Sequence, residues 1–402
     1  MLSLDEAQAR LLGGIDPLPA ETVRIEAALG RYLAGDIAAR RTQPPFAASA
    51  MDGYAIRFAD LPGPWRLIGE SSAGNRFGGA MAAGEAVRIF TGAPLPPDAD
   101  TVMVQEDVTR DGDAVLLAGD GPPQCGAHTR RAGLDFSIDD PLAARGTRLT
   151  PALLGLLAAG GHGEVAVHRR PRVALLSTGD ELVPAGAEPG PDQIVNANGP
   201  MLYALLSAAG ADVVDLGIVA DDRAAIVEAL GRASGVDLLV TVGGASVGDR
   251  DLVVPVLESQ GATIDFWKVA IKPGKPMLTG TLGDIRVIGL PGNPVSAFVC
   301  AQLFVLPALR RMAGSSSPLP PVIQARTRVA LPANGARRDH LRSTLSWEDG
   351  DWRVTPASLQ DSSTLRILAA SNALLVRPEG ADAVAAGSFV PVMPLDSRIA
   401  SP

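Results

Sequence analysis

Residues 173–182 read VALLSTGDEL. The first half is a run of apolar side chains, the pattern of a strand covered on both faces, and the second half turns polar. The same unit recurs downstream. DVVDLGIV (212–219) runs on towards Asp221 and Asp222, DLLVTVGG (237–244) into a glycine-rich turn, and ATIDFWKVAI (262–271) and IRVIGLPGNP (285–294) are further strands. Helical stretches lie between and after them: from Asn198 or Gly199 to about Ala209, from Asp222 through Ala233, from about Asp251 to Ser259, and from Val295 to Met312. Strand and helix alternating in this way predict a parallel sheet with helices on both faces. In such sheets ligands bind outside the carboxyl ends of the strands. STGDE, VADD, GGASVGDRD, KPGKP and LPGNP all follow strands, so they should converge on one rim.

One window on that rim is unusual in composition. Of 35 basic residues only Lys268, Lys272 and Lys275 are lysines, and all three fall in WKVAIKPGKP (267–276). An ammonium is a compact point charge, whereas a guanidinium is a wide planar fork. A solvated basic loop would accept Arg, so this cluster is read as an oxyanion site.

Outside the α/β region the pattern changes. Ser3-Leu4-Asp5-Glu6 has the form of a capping box opening a helix to about Leu12, and a second helix is expected from about Ala20 to Leu33. From Tyr54 to about Leu134 short strands alternate with turns, and Thr150 with Pro151 then opens another helix. The expected arrangement is a multidomain α/β and β chain in four parts. Residues 1–40 and 140–168 form a helical linker domain, with a β-rich domain (41–139) inserted in it. Residues 169–313 form the α/β domain, and 318–402 a barrel-like β domain after the linker GSSSPLPP.

Composition narrows the functions. The 402 residues carry a net charge of −9, with no basic run, so nucleic acid is not an expected partner. Cys125 and Cys300, far apart, suit a reducing compartment. The N-terminus MLSLDEAQAR has acids where a leader would have bases, and 295–309 reads as a buried helix, so a cytoplasmic protein without a membrane span is expected. His128, His162, His168 and His340 lack ligand spacing.

Several motifs have two readings on spacing alone. GGASVGDRD (243–251) is either a phosphate-cradling loop at a helix start or a tight turn. LPGNPVSA (290–297) is either a rigid rim presenting amides or a plain connector. Asp180, Glu181, Asp221, Asp222, Asp249 and Asp251 gather on one rim. Helix capping accounts for Asp222, while Asp221 and Asp251 are read as Mg²⁺ ligands, because capping needs one acid per turn. Asp52 in SAMDGYA, Thr91 in FTGAP, and Arg130 and Asp135 in TRRAGLD say nothing alone.

In order, SAMDGYA, RIFTGAP, LLSTGDEL, GGASVGDRD, WKVAIKPGKP and GLPGNPVSA resemble the molybdopterin molybdenumtransferase family, which includes MoeA and the gephyrin E domain. The resemblance implies a central molybdopterin-binding domain and an elongated homodimer whose clefts combine both subunits. It implies insertion of molybdate into adenylylated molybdopterin, with Mg²⁺-dependent release of AMP. Molybdopterin adenylyltransferase and apo-molybdoenzymes or their chaperones would be partners.

Carried across motif by motif, Asp52, Glu181, Asp221, Asp251, Lys268 and Lys272 match catalytic positions, with Asp221 and Asp251 tied to Mg²⁺. Thr91, Arg130, Asp135, Gly243, Gly244, Ser246, Gly248, Lys275, Gly292, Asn293, Pro294 and Ser296 match binding positions. Arg338 or Arg342, and Ser362, match cleft-facing positions of the last domain more loosely. The chain departs from the pattern at Ala48, at Ala245, at Asn196 in place of an acid, and at Asp361, a negative charge where an anion should pass. Tungstate fits the same pattern as molybdate.

Overall fold

In a computed structural model the described residues are 1–243 and 252–395, apart from the side chains of Phe266 and Trp267. VALLSTG forms the strand β1 (Arg172–Thr178) inside a six-stranded sheet. Its companions are β2 (Asp212–Val219), β3 (Leu238–Val242), β4 (Thr263–Lys268), β5 (Pro276–Leu282) and β6 (Ile285–Leu290), in the order β2-β1-β3-β6-β5-β4. The pairs β2–β1, β1–β3 and β3–β6 are parallel. Only β5 runs against the others. It is joined to β6 by the two-residue turn Gly283-Asp284, and so short a link permits only an antiparallel neighbour. Pro276, Gly280 and two threonines conceal β5 from a search for apolar runs.

Both faces of the sheet are covered, and side chains alternate between them. Val173 and Leu175 of β1 join one core with α1 (Asn198–Ala208) and the long helix that follows β6. Ala174 and Leu176 join the other, with α2 (Arg223–Arg232) and α3 (Val253–Ser259). The helix after β6 comprises α4 (Pro294–Cys300), one π turn (Ala301–Val305) and α5 (Leu306–Met312). By length and apolarity it could cross a membrane, but 83% of it is buried inside the protein. Full burial of each such aliphatic side chain is worth roughly 1.5–3 kcal/mol.

The N-terminal helix Leu4–Gly13 has the expected capping box, with Ser3 and Glu6 exchanging bonds. It packs on the α/β core through Leu4, Ala7 and Leu11 rather than on residues 140–168. No helix forms over 20–33. Ala20–Arg24 is a strand paired antiparallel with Glu164–His168, followed by a short 3₁₀ turn, Ile25–Ala27. Val23, Ile25 and Leu33 still bury their apolar side, against Leu149, Leu157 and Val165. The partner strand lies some 140 residues on, so local periodicity could not reveal it. The linker domain is therefore as much strand as helix; its helix Pro151–Ala159 starts with Thr150 capping and Pro151 in the first turn.

The inserted domain is a six-stranded sheet with apolar clusters on both faces. The C-terminal strands Ile323–Thr327, Arg338–Glu348, Asp351–Pro356, Ala373–Arg377 and Phe389–Pro394 close on one another as a five-stranded barrel. Leu374 and Met393 from these strands, and Leu368 from the adjoining helix Leu365–Ala370, enter the α/β core, so this domain is docked rather than separate.

In SAMDGYA, Gly53 faces the Met103 carbonyl so closely that a Cβ would lie 1.9 Å from that oxygen. We predict that Gly53→Ala costs about 3 kcal/mol by forcing the strand Gly53–Ile56 off Thr101–Val104. Thermal unfolding reads this, and an unchanged midpoint would refute it.

Candidate active site

β1, β3 and β6 end together, because Ser177 is opposite Val242 and Val242 opposite Leu290. Where they end, a cleft of about 550 Å³ opens, lined by Thr178, Glu181, Asn196, Asn198, Gly243, Gly292, Asn293, Pro294 and Ser363 among others. The motifs STGDE and LPGNP and the start of GGASVGDRD thus meet. Pro294 is the first residue of α4, and Asn293 caps no amide with its side chain, which leaves that side chain for the cleft. Gly244, Ser246, Gly248 and Asp251 lie outside the described residues.

Two residues that the sequence marked only as departures or helix starts do visible work here. The Gly199 amide donates to Asn196 Oδ1 at 3.0 Å, so Asn196 caps the first turn of α1 as an acid would, without the charge. Asn198 donates from Nδ2 to the Gly292 carbonyl at 2.6 Å, and its Oδ1 is shielded without a donor. Ser296 is only 5% exposed, which places it beneath the rim rather than in the cleft.

The lysines stand on the same rim. Lys268 ends β4, which runs in the same direction as β1, β3 and β6. Lys272 and Lys275 follow on a turn held from three sides. The Leu2 amide donates to Lys268 O at 2.9 Å, and the Ala270 amide returns a bond to Leu2 O at 2.8 Å. Ile271–Lys272 pairs in parallel with Arg338–Asp339 of the barrel. Beneath the turn, Gly274 has a φ of +101° and sits against Cys300 of α4, whose sulfur is 2.4 Å from where a Cβ would be. Burial pushes the Cys300 thiol up to about 12, so it packs as a neutral group. All three lysines are exposed, and Lys272 faces Asp339 at 3.5 Å, a pairing worth little at a solvated surface.

Asp221 follows β2, and its amide donates to Asp180 Oδ1 at 3.0 Å. Partial burial, then the charges of Asp180 and Glu181, raise its carboxyl above the usual range. Asp222 caps α2 by accepting from the Ala225 amide at 2.9 Å. Among the described residues no three His, Cys, Asp or Glu are arranged to enclose a metal ion. Magnesium keeps several waters and takes one or two carboxylates, so crowded, exposed oxygens such as these suit it.

Two further groups form on the inserted domain, and none of their residues lines this cleft. The Thr91 amide and hydroxyl donate to Asp52 Oδ1 at 2.7 and 2.8 Å. Those bonds hold the Asp52 carboxyl below its usual range. Arg130 and Asp135 are both exposed, near where 133–136 bonds back to Gln43 and Pro44.

The barrel positions need correction. Arg342 is 1% exposed and donates to the Asp361 carbonyl at 3.0 Å, so it braces the 360–363 loop instead of facing the cleft. Arg338 is held by Asp5 at 2.9 Å and by Glu379 at 3.1 Å. Ser362 meets the rim through its carbonyl, which accepts from the Val295 amide at 3.0 Å, and Ser363 is the residue that lines the cleft. The charge of Asp361 is spent locally, accepting from the amide and hydroxyl of Ser363 at 2.9 and 2.5 Å.

This geometry defines a multidomain α/β protein with a strand-end cleft beside a lysine cluster, a rim suited to phosphate-bearing ligands. Residues 2–161 match the family described as the MoeA N-terminal region (domain I and II), 174–311 the probable molybdopterin binding domain, and 324–395 the MoeA C-terminal region (domain IV). A molybdopterin molybdenumtransferase from Haemophilus influenzae is 36% identical, over 98% of this chain and 99% of its own. One from Bacillus subtilis is 32% identical over 98% and 94%. The crystal structure of a Pyrococcus horikoshii molybdopterin biosynthesis MoeA protein aligns with a TM-score of 0.80 at 30% identity, covering 99% of this chain and all of the other. The chain belongs to the molybdopterin molybdenumtransferase (MoeA) family.

His340 is buried behind the lysine turn, hydrogen-bonded to backbone of Lys272 and Arg338, and burial holds it down at about 4. A depressed histidine stabilises the fold fully above its unfolded value near 6.5, and that stability is lost as pH falls towards 4. We expect acid-induced unfolding to begin across this interval and to be blunted in His340→Gln. Identical pH profiles for the two proteins would contradict the assignment.

Proposed function

We propose that this chain is a molybdopterin molybdenumtransferase that inserts molybdate into adenylylated molybdopterin, releasing AMP in a Mg²⁺-dependent step and yielding molybdenum-bound molybdopterin. The observation that carries this reading is the placement of all three lysines on the strand-end rim, beside the cleft in which Glu181, Gly243 and the PGNP turn meet. Full-length relatives that carry this activity in their names support it.

AMP release is phosphoryl transfer to water, which calls for charge neutralisation and positioning more than for a strong nucleophile. Lys268, Lys272 and Lys275 offer compact positive charge to phosphate and molybdate oxygens. The Asn198 Oδ1 offers an unfilled acceptor, and Glu181 an oxygen able to orient water. Asp221, with Asp180 next to it, would hold magnesium together with Asp251. The ion, when bound, would neutralise phosphate charge and offset the partial burial and the neighbouring carboxylate charges that raise Asp221.

Asp52, Thr91, Arg130 and Asp135 lie on the inserted domain, away from their own chain's cleft lining. We propose that they serve the cleft of a second copy in a homodimer, and that the enzyme is cytoplasmic. It would work between molybdopterin adenylyltransferase and apo-molybdoenzymes or their chaperones.

The test is AMP release from adenylylated molybdopterin with Mg²⁺ and a molybdate titration. Molybdate-dependent release is expected, falling about 100-fold or more in Lys272→Ala with the fold intact. Wild-type turnover in Lys268→Ala, Lys272→Ala and Lys275→Ala would sink the reading. For the shared cleft, Asp52→Ala and Lys272→Ala chains are unfolded and refolded together in equal amounts. Half the dimers are then mixed and each has one intact cleft, so about a quarter of wild-type activity should return. No recovery would place both residues in one chain's cleft.

A further inference from the structure

The opposite rim of the sheet carries a second charged feature that the proposed reaction does not use. At the N-terminal ends of β1 and β2 a pocket of about 230 Å³ is lined by Arg31, Arg148, Arg169 and Arg170, together with Tyr32 and Gly210. Among the described residues none of its lining side chains is acidic. Arg310 stands close enough to feel the charge of Arg148. In a chain of net charge −9 this is a local reversal of sign.

Two of these arginines have carboxylate partners. Arg31 pairs with Glu21, and Arg169 holds Asp237 by two bonds of 2.7 and 2.6 Å. The other three have none among the described residues. Arg170 donates to the Gly210 carbonyl at 3.3 Å and Arg310 to the Pro318 carbonyl at 3.2 Å. The Arg148 backbone is bridged to Tyr32, and its guanidinium lies beside Gly30. Arg310 is partly buried, and burial together with the nearby Arg148 makes its charge harder to hold. Carbonyl dipoles offset only part of such a cost, whereas a counter-anion offsets it directly.

We infer that this pocket binds a small phosphate-class oxyanion, held by Arg148 and Arg170. Its volume is about that of eight waters of the liquid, enough for a pyrophosphate group. Forked guanidiniums suit such oxygens. The pocket is not part of the catalytic rim, because the length of β1, roughly 20 Å, separates the two. It lies where residues 29–32 and 148 of the linker domain meet β1 and α1, so an anion there ties the two domains together.

The test uses the full chain in anion-depleted buffer, in a Lys268→Ala/Lys272→Ala/Lys275→Ala background that removes the lysines of the other rim. Calorimetric titration with pyrophosphate at fixed ionic strength should show one site, and Arg148→Gln/Arg170→Gln should weaken it by about tenfold or more. Without anion, Arg148→Gln should melt at or above the parent temperature, because it removes repulsion. With pyrophosphate the parent should gain thermal stability and the double variant should not. A second titration with ADP identifies the source. Tighter binding than pyrophosphate names a nucleotide, and equal or weaker binding names a free phosphate; both support the site. Absent binding in the parent, unchanged affinity in the double variant, or a lower anion-free midpoint for Arg148→Gln would overturn it. None of these readings depends on the transferase activity.

Discussion

The contact on which the rest of the site depends is that of Gly274 with Cys300. A turn carrying two of the chain's three lysines lies directly on a helix that is buried almost throughout, with only a hydrogen atom between backbone and sulfur. Nothing in a lysine's own chemistry would hold it at a strand-end rim, since exposed ammonium groups prefer water and gain little from surface pairs. The position is imposed from below by the packing and from the sides by Leu2 and by the barrel strand at Arg338–Asp339. The backbone that carries the cations is thereby fixed although their side chains are exposed. That is the condition under which they stabilise developing charge without first having to be collected.

The same construction explains why domains that look separable are not. The barrel closes on itself, yet Leu368, Leu374 and Met393 fill the core of the α/β domain, and the 360–363 loop bonds to the first turn of α4. Arg342 and Asp361, which as sequence suggest a cation and an anion facing substrate, are instead parts of that joint. Asp361 is exposed to water and lies within reach of the Arg342 charge, and both screen its field. Asp361 is therefore compatible with an anionic ligand passing nearby.

How much of this was legible depended on whether the signal was local. The α/β strands, the Ser3 and Thr150 caps and the Asp222 cap are written in neighbouring residues and were readable. So was the convergence of STGDE and PGNP, because strand-end loops of a parallel sheet share a rim by topology. The strand at Ala20–Arg24 was misread because the pattern of Val23, Ile25 and Leu33 suits a helix, while its true partner is far along the chain. β5 was missed because its burial comes from its neighbours and not from its own composition. In the site, Asn198 and Ser363 carried no warning, since the role of Asn198 comes from a carbonyl 94 residues along the same domain and that of Ser363 from a loop of the barrel domain. Asn196, a departure from the family's acid, satisfies a first-turn amide of α1, a role that its neighbours in sequence do not announce.

The placement of acids against cations follows one electrostatic logic across the molecule. At the strand-end rim three carboxylates crowd together and raise Asp221, a strain that a cation would relieve. At the opposite rim three guanidiniums lack carboxylate partners among the described residues, a strain that an anion would relieve. Each is costly in isolation; the acids lie on loops of the α/β domain, and the arginines where that domain meets the linker domain. Like charges gathered where packing could have paired or dispersed them are best explained by what they hold. The acids sit at the end of the sheet where the cleft opens, and the arginines at the end where the linker domain meets the α/β domain.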